Sequence, residues 1–162
     1  MSQRVGFGFD AHALGAGRPL ILAGVRVPFA QGLIGFSDAD VAAHAVIDAL
    51  LGGAALGDCG SRFPAGDERY AGIESTTLLR RSAIMVREAG FSITNVDCTI
   101  VAEAPPLAPH VPAMRAALAA AMDVDISQVS VKAKRTEGLG FTGEGKGMAA
   151  HCVACIEQRL PK

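Results

Sequence analysis

The sequence predicts an α/β or α+β fold, a sheet layered with helices. Two observations carry this expectation. Segments with the alternating period of a strand recur between segments with the period of an amphipathic helix. The 162 residues, half of them apolar, run without an internal repeat or a linker. That length fits a single domain over residues 1–162 and supplies a core.

Taken in order, Arg4–Phe9 alternates as a strand, and Leu20–Phe29 (LILAGVRVPF) reads as a strand pair turning at Gly24. Ser37 is expected as an N-cap with Asp40 as its capping-box acid, opening a helix that runs through VAAHAVIDALLGGAALG to Gly57. The stretch DCGSRFPAGDERYAG combines Pro, Gly and charge and reads as a long, mobile loop. Ser75 or Thr76 starts a second helix running to Gly90, and Ile93–Val101 is the best strand. The connector APPLAPHVP leads into a helix from about Pro112 to Met122. Val129–Lys134 alternates again, and Met148–Ile156 is apolar enough for a central strand or a buried helix.

Composition excludes several function classes. A formal net charge of -1, with no block of like charge, argues against a general nucleic-acid binder, although Lys132, Lys134 and Arg135 cluster locally. The opening residues lack a secretory pattern, and the longest apolar stretch is broken by His44 and Asp48, so neither secretion nor a membrane span is expected. The expectation is a cytoplasmic protein with reduced thiols. Cys152 and Cys155 form a C-x-x-C with no second pair to complete a four-thiolate zinc site. Positions three apart on a strand face opposite sides, which makes these two ordinary core residues.

Two glycine motifs invite a nucleotide reading and fail its requirements. Gly6, Gly8 and Ala11 fit G-x-G-x-x-A, but the following ALGAGRP cannot propagate a helix. No acidic residue lies between Asp10 and Asp38 to hold a ribose. Gly140–Lys146 resembles a phosphate-binding loop until Gly147, where Ser or Thr should follow, and the overlapping G-x-G-x-x-G at Gly138, Gly140 and Gly143 likewise precedes no clear helix. Glycine here signals tight turns or close backbone approach.

A metal site is the stronger motif. Asp10 and His12, two apart on a strand, point the same way and can reach one ion. On the following helix Ala42, Ala45, Val46, Ala49 and Leu56 form the apolar stripe, with His44 on the far side, four residues from both Asp40 and Asp48. Two readings stay open. One is a solvated polar stripe with local ion pairing. The other makes His44 a third ligand, with a nearby carboxylate orienting its second nitrogen. One Asp and two His would leave the fourth tetrahedral position open, as a catalytic zinc requires.

Four ordered motifs, FDAH, SDADVAAHAVIDALLGGAALGD, NVDCTIVAEAPPLAPHVPAMR and VSVKAKRTEGLGFTGEGKG, resemble the 2-C-methyl-D-erythritol 2,4-cyclodiphosphate synthase family over nearly the whole chain. The resemblance implies an α+β sandwich: a four-stranded mixed sheet with helices on one face. It further implies a homotrimer whose sheets face the threefold axis, with active sites between neighbouring subunits. The implied reaction is attack of the 2-phosphate of 4-diphosphocytidyl-2-C-methyl-D-erythritol 2-phosphate on its own β-phosphate, releasing CMP, in the non-mevalonate route to isoprenoids. The nucleophile is carried by the substrate, so the protein has to fold a flexible polyanion and spread its charge. By the same resemblance Asp10, His12 and His44 hold Zn²⁺, and Glu137 holds a Mg²⁺ or Mn²⁺ between the α- and β-phosphates. Ser37, Asp58, Gly60, Phe63 and Asp67 contact the phosphate and methylerythritol parts. Ala102, Leu107, Ala108, Ala133, Lys134, Thr136 and Phe141 belong to the substrate site, its cytosine and ribose held around residues 102–108 and by 133–135 of a neighbouring chain.

The sequence also departs from the family pattern. Phe36 stands where His is usual, and Arg135 where Thr is usual, both at positions the family associates with the transition state. Ala65 replaces a typical Asp. Glu144 and Lys146 carry swapped charges, a swap that could keep ion pairing between subunits near the threefold axis. It removes the Arg expected to meet an isoprenoid diphosphate in a central cavity. These differences motivate two alternatives: a paralogue with the same zinc trimer and a different nucleoside-diphosphate substrate, or a non-catalytic nucleotide- and metal-binding trimer.

Overall fold

Two long strands form the centre of the molecule, which the computed structural model describes over residues 2–159. β1 (Gln3–Gly15) and β7 (Gly147–Gln158) pair antiparallel, from Gln3 opposite Glu157 to Ala13 opposite Gly147. β5 (Phe91–Val101) adds antiparallel to β7, and β6 (Val129–Lys134) adds parallel to β5. The crossover between them runs through α4 (Val111–Met122), as parallel pairing demands. β2 (Leu20–Leu22) and β3 (Val25–Val27) make a separate hairpin turning at Ala23-Gly24, both at positive φ. β4 (Gly32–Leu33) pairs with the end of β1, giving the order β4-β1-β7-β5-β6. The mixed sheet therefore has five strands where four were expected; the fifth is two residues long and leaves no periodic signal in the sequence.

The helices are α1 (Val41–Gly53), α2 (Cys59–Arg62), α3 (Ser75–Glu88), α4, and the short α5 (Gly140–Gly143). α1 packs on β1 and β7, and α3 packs against α1, α4 and β5. The residues of β7 that face the helices, Met148, Ala150, Cys152, Ala154 and Ile156, are all buried, which resolves the Met148–Ile156 stretch as a central strand. On the opposite face Val5, Phe7, Phe9 and Val153 keep 69%, 62%, 48% and 45% of their surface exposed. That is an apolar patch on an uncovered sheet face.

Several local expectations change. Asp40, rather than Ser37, caps α1: its carboxylate accepts the Ala42 and Ala43 N–H groups, and also those of Ala23 and Gly24. One buried carboxylate thus ties the β2–β3 turn to the helix start. α1 stops at Gly53, short of Gly57. Ala55 takes the left-handed conformation (φ 58°), and Leu56 N–H returns to Leu51 C=O while Ala55 N–H returns to Gly52 C=O. This Schellman closure is made on an alanine, so no glycine marks it. The long loop is partly ordered, containing α2 with its own capping box at Asp58 and a 3₁₀ turn over Glu68–Tyr70. Finally, α1 is buried on nearly all sides, so its His44 and Asp48 face a cleft instead of forming a solvated stripe. Among the described residues no helix is long and apolar enough to cross a membrane.

Candidate active site

The paired glycines of β1 set the site's geometry. A Cβ on Gly6 would lie 1.8 Å from the Ala49 carbonyl oxygen, and one on Gly8 would lie 1.9 Å from that of Ala45. Only glycine lets α1 lie directly on the strand. Asp10 and His12 continue the parity of Gly6 and Gly8, so their side chains rise on the same face, beside the first turns of α1. Close approach brings His44 to them. Asp10 Oδ2 lies 2.9 Å from His12 Nε2 and 3.0 Å from His44 Nδ1, and the two imidazole nitrogens are 3.3 Å apart. One ligand atom from each residue falls within 4.8 Å of the other two.

Both imidazoles are oriented by their second nitrogen. His12 Nδ1–H donates to the Ile34 carbonyl at 2.8 Å, which turns Nε2 toward Asp10. His44 Nε2 meets Ser75 Oγ at 2.9 Å and Ser37 Oγ at 3.2 Å. A carboxylate beside His44 was expected to do this work, with Asp40 and Asp48 at the helical spacing. Instead Asp40 is spent on backbone N–H groups, and Asp48 accepts Cys59 N–H at 2.7 Å. Burial by itself would push the Asp10 carboxyl up, but hydrogen bonds and charge from His12 and His44 outweigh it and hold it down at about 2. The hydrogen bond to Asp10 raises His12 above the ordinary 6.5, against the opposing effect of burial.

These three residues line a cleft of about 420 Å³, together with the expected Phe36, Ser37, Asp58, Gly60 and Phe63. Sequence reasoning missed Asp48, Cys59, Tyr70 and Leu78 in its wall. Tyr70 packs edge-on against Phe63, a contact across the loop that no local pattern announces. Burial and three nearby carboxylates push the Cys59 thiol up to about 12, which keeps it protonated. Asp67 does not line this cleft; it caps the 3₁₀ turn and pairs with Arg69.

A second hollow of about 240 Å³ is lined by Ala102, Leu107, Ala108, Ala133, Lys134 and Arg135, joined by Glu103 and two prolines. Arg135 is tied to Glu103 at 3.0 Å, and Lys132 to Asp97 at 2.7 Å. Thr136 Oγ1 donates to Leu139 C=O, and Glu137 is exposed at a positive φ of 56°. Phe141 lies elsewhere, beside His12 and Lys146 in a shallow apolar hollow. Glu144 pairs with Lys146 of its own chain, so the swapped charges satisfy each other within the subunit.

The two clefts are separate. Asp10 pairs with Ala150, Ala150 with Ile100, and Ile100 with Ala133. Asp10 and Ala133 thus occupy one transverse row, three interstrand steps or about 14 Å apart. The Asp10–His12–His44 cluster and the basic hollow lie at the same end of the sheet, on β1 and β6.

Comparison with known proteins is consistent along the chain. The sequence model of the YgbB family matches residues 3–157. A relative from Desulfitobacterium hafniense, named 2-C-methyl-D-erythritol 2,4-cyclodiphosphate synthase, is 52% identical over 153 residues, covering 94% of this chain and 97% of its own. A solved synthase of the same name in a CDP-bound form superposes with a TM-score of 0.87 at 33% identity, over 95% of this chain and 100% of that one. The bifunctional IspDF from Campylobacter jejuni gives a TM-score of 0.93 at 39% identity. It covers 97% of this chain, which spans 42% of that longer protein.

Proposed function

The chain belongs to the YgbB family, and from that premise we infer that it is a cyclising lyase forming 2-C-methyl-D-erythritol 2,4-cyclodiphosphate and releasing CMP. The observation that carries this reading is the convergence of Asp10, His12 and His44 in the wall of a cleft, within a chain 52% identical to a relative named for that activity.

The donor set fits zinc: one carboxylate oxygen and two imidazole nitrogens, close enough to share an ion, with room left for a substrate oxygen. Zinc held there, and a Mg²⁺ or Mn²⁺ held by Glu137, would supply Lewis-acid stabilisation of the phosphate charge. The remaining work falls to the chain itself. Asp58 and the Gly60 backbone stand where they can orient the methylerythritol hydroxyls, with Phe63 and Tyr70 closing an apolar wall. The hollow at Ala102–Ala108 and Ala133–Arg135 is read as the cytidine site, where backbone groups would hold the base and Lys134 the phosphates. Phe36 can exclude water from the phosphate position, though it donates no hydrogen bond. Thr136 is read as a support for the Glu137 turn, Asp67 as an anchor of the loop, and Phe141 as a boundary residue beside His12.

We further propose a homotrimer in which the triad of one subunit faces the basic hollow of the next. The separation of the two clefts within one chain, on β1 and on β6, leaves each free to pair with the other kind of cleft on a neighbour. The uncovered apolar face around Phe7 and Phe9, of the kind that marks an interface, supports the assembly. Incubating the protein with 4-diphosphocytidyl-2-C-methyl-D-erythritol 2-phosphate, Zn²⁺ and Mg²⁺ tests the activity. Release of CMP with the cyclic product is expected. Failure there, with turnover of another nucleoside diphosphate, would favour the paralogue.

A further inference from the structure

His44 differs from His12 in how it is held. No backbone carbonyl takes its second N–H. Instead Nε2 meets Ser75 Oγ at 2.9 Å, and that hydroxyl donates in turn to Asp38 Oδ1. The carboxylate is itself fixed, since Asp38 Oδ2 accepts Ser75 N–H at 3.0 Å and Oδ1 accepts Asp40 N–H at 3.2 Å. Ser75 is fully buried at the first residue of α3, and Asp38 sits just before α1. Two segments, the start of α3 and the turn before α1, therefore meet behind one imidazole.

The direction of these bonds follows from the donor inventory. An ionised carboxylate only accepts, so the Ser75 hydroxyl hydrogen points at Asp38. Its lone pairs then face His44, which must supply the hydrogen, and Nε2 carries it. Nδ1 is left bare, and Nδ1 is the atom that converges on Asp10 Oδ2 and His12 Nε2. Ser37 Oγ, 3.2 Å from Nε2, accepts the Ala39 N–H at 3.1 Å and lacks a carboxylate behind it.

We propose that Asp38 and Ser75 form a positioning relay, Nε2–H to Oγ–H to carboxylate, that locks His44 in the tautomer whose Nδ1 binds the metal. This rests on the zinc reading of the triad. Neither residue touches substrate; each acts through His44. Partners of this kind are worth about 10–100-fold in metal affinity.

The test compares zinc affinity of the wild type, Ser75→Ala, Asp38→Asn and Ser82→Ala by competition with a chromophoric chelator. Ser82 is the control: it is fully buried in the same helix, and among the described residues its hydroxyl bonds only to Leu78 C=O. Ser75→Ala and Asp38→Asn should each weaken zinc binding about 10–100-fold, with altered visible bands in the Co²⁺ form, while Ser82→Ala binds as tightly as wild type. Long-range ¹H–¹⁵N spectra of the zinc-loaded wild type should show His44 protonated on Nε2, a readout that stands even if Ser75→Ala does not fold. Affinities within twofold of wild type for both relay variants, or a proton on Nδ1, would overturn the relay. Stoichiometric zinc retained by His44→Ala would overturn the metal reading itself, a separate failure.

Discussion

At the scale of residues, a proton and a metal compete for one nitrogen. His12 prefers its proton more than an ordinary histidine does, because the Asp10 carboxylate lies 2.9 Å from Nε2. Zinc must displace that proton, so apparent zinc affinity is flat above the raised pKa and falls below it by at least about tenfold per pH unit. The break is expected above pH 6.5, the ordinary value. Equilibrium dialysis of zinc across pH 5–9 checks this; a break at or below 6.5 would contradict the placement of His12 against Asp10. Strand parity put Asp10 and His12 on one face and helix periodicity put His44 off the apolar stripe, but only the family resemblance singled out the three as a ligand set. Ser75 and Asp38 were not legible in the sequence. A hydroxyl from α3 reaches His44 only through tertiary packing, and nothing within either segment encodes that meeting.

Among elements, the contact between α1 and β1 decides whether the site exists. Gly8→Ala would force its Cβ into the Ala45 carbonyl, the residue next to His44. It should cost about 1–3 kcal/mol in urea unfolding and weaken zinc binding, because α1 must move away from Asp10. Gly52→Ala is the matched contrast: an exposed glycine of the same helix with open space at its Cβ position. It should raise stability by about 0.5–1 kcal/mol and leave zinc affinity unchanged. Equal effects from the two substitutions would sink the close-packing account. The long elements were readable because each repeats its period many times. The misplaced boundaries have specific causes: Asp40 serves two elements at once, Ala55 closes a helix in a conformation usually left to glycine, and β4 is too short for any period.

For the whole molecule, the open face of the sheet is the feature that a single chain leaves unexplained. Phe7 and Phe9 flank His151 there, with ring centroids 6.1 and 5.0 Å from it, amid Val5 and Val153. If the proposed trimer forms through this face, Phe7→Asp should give single chains in sedimentation velocity and abolish CMP release. Zinc uptake should persist, since the three proposed ligands belong to one chain. Loss of zinc along with assembly would mean that the triad needs a neighbour to form. Sequence periodicity showed that these positions share a face, but not that the face lacks a covering helix.

The spacing of the two clefts along one strand row has a consequence for damage. If each reaction centre joins the metal end of one copy to the basic end of the next, every copy is a shareholder in two centres. In a ring of three, one copy ruined at both ends would silence roughly two of the three centres, sparing only the one built by its intact companions. A harmful allele of such a protein would therefore injure the product of a healthy gene beside it.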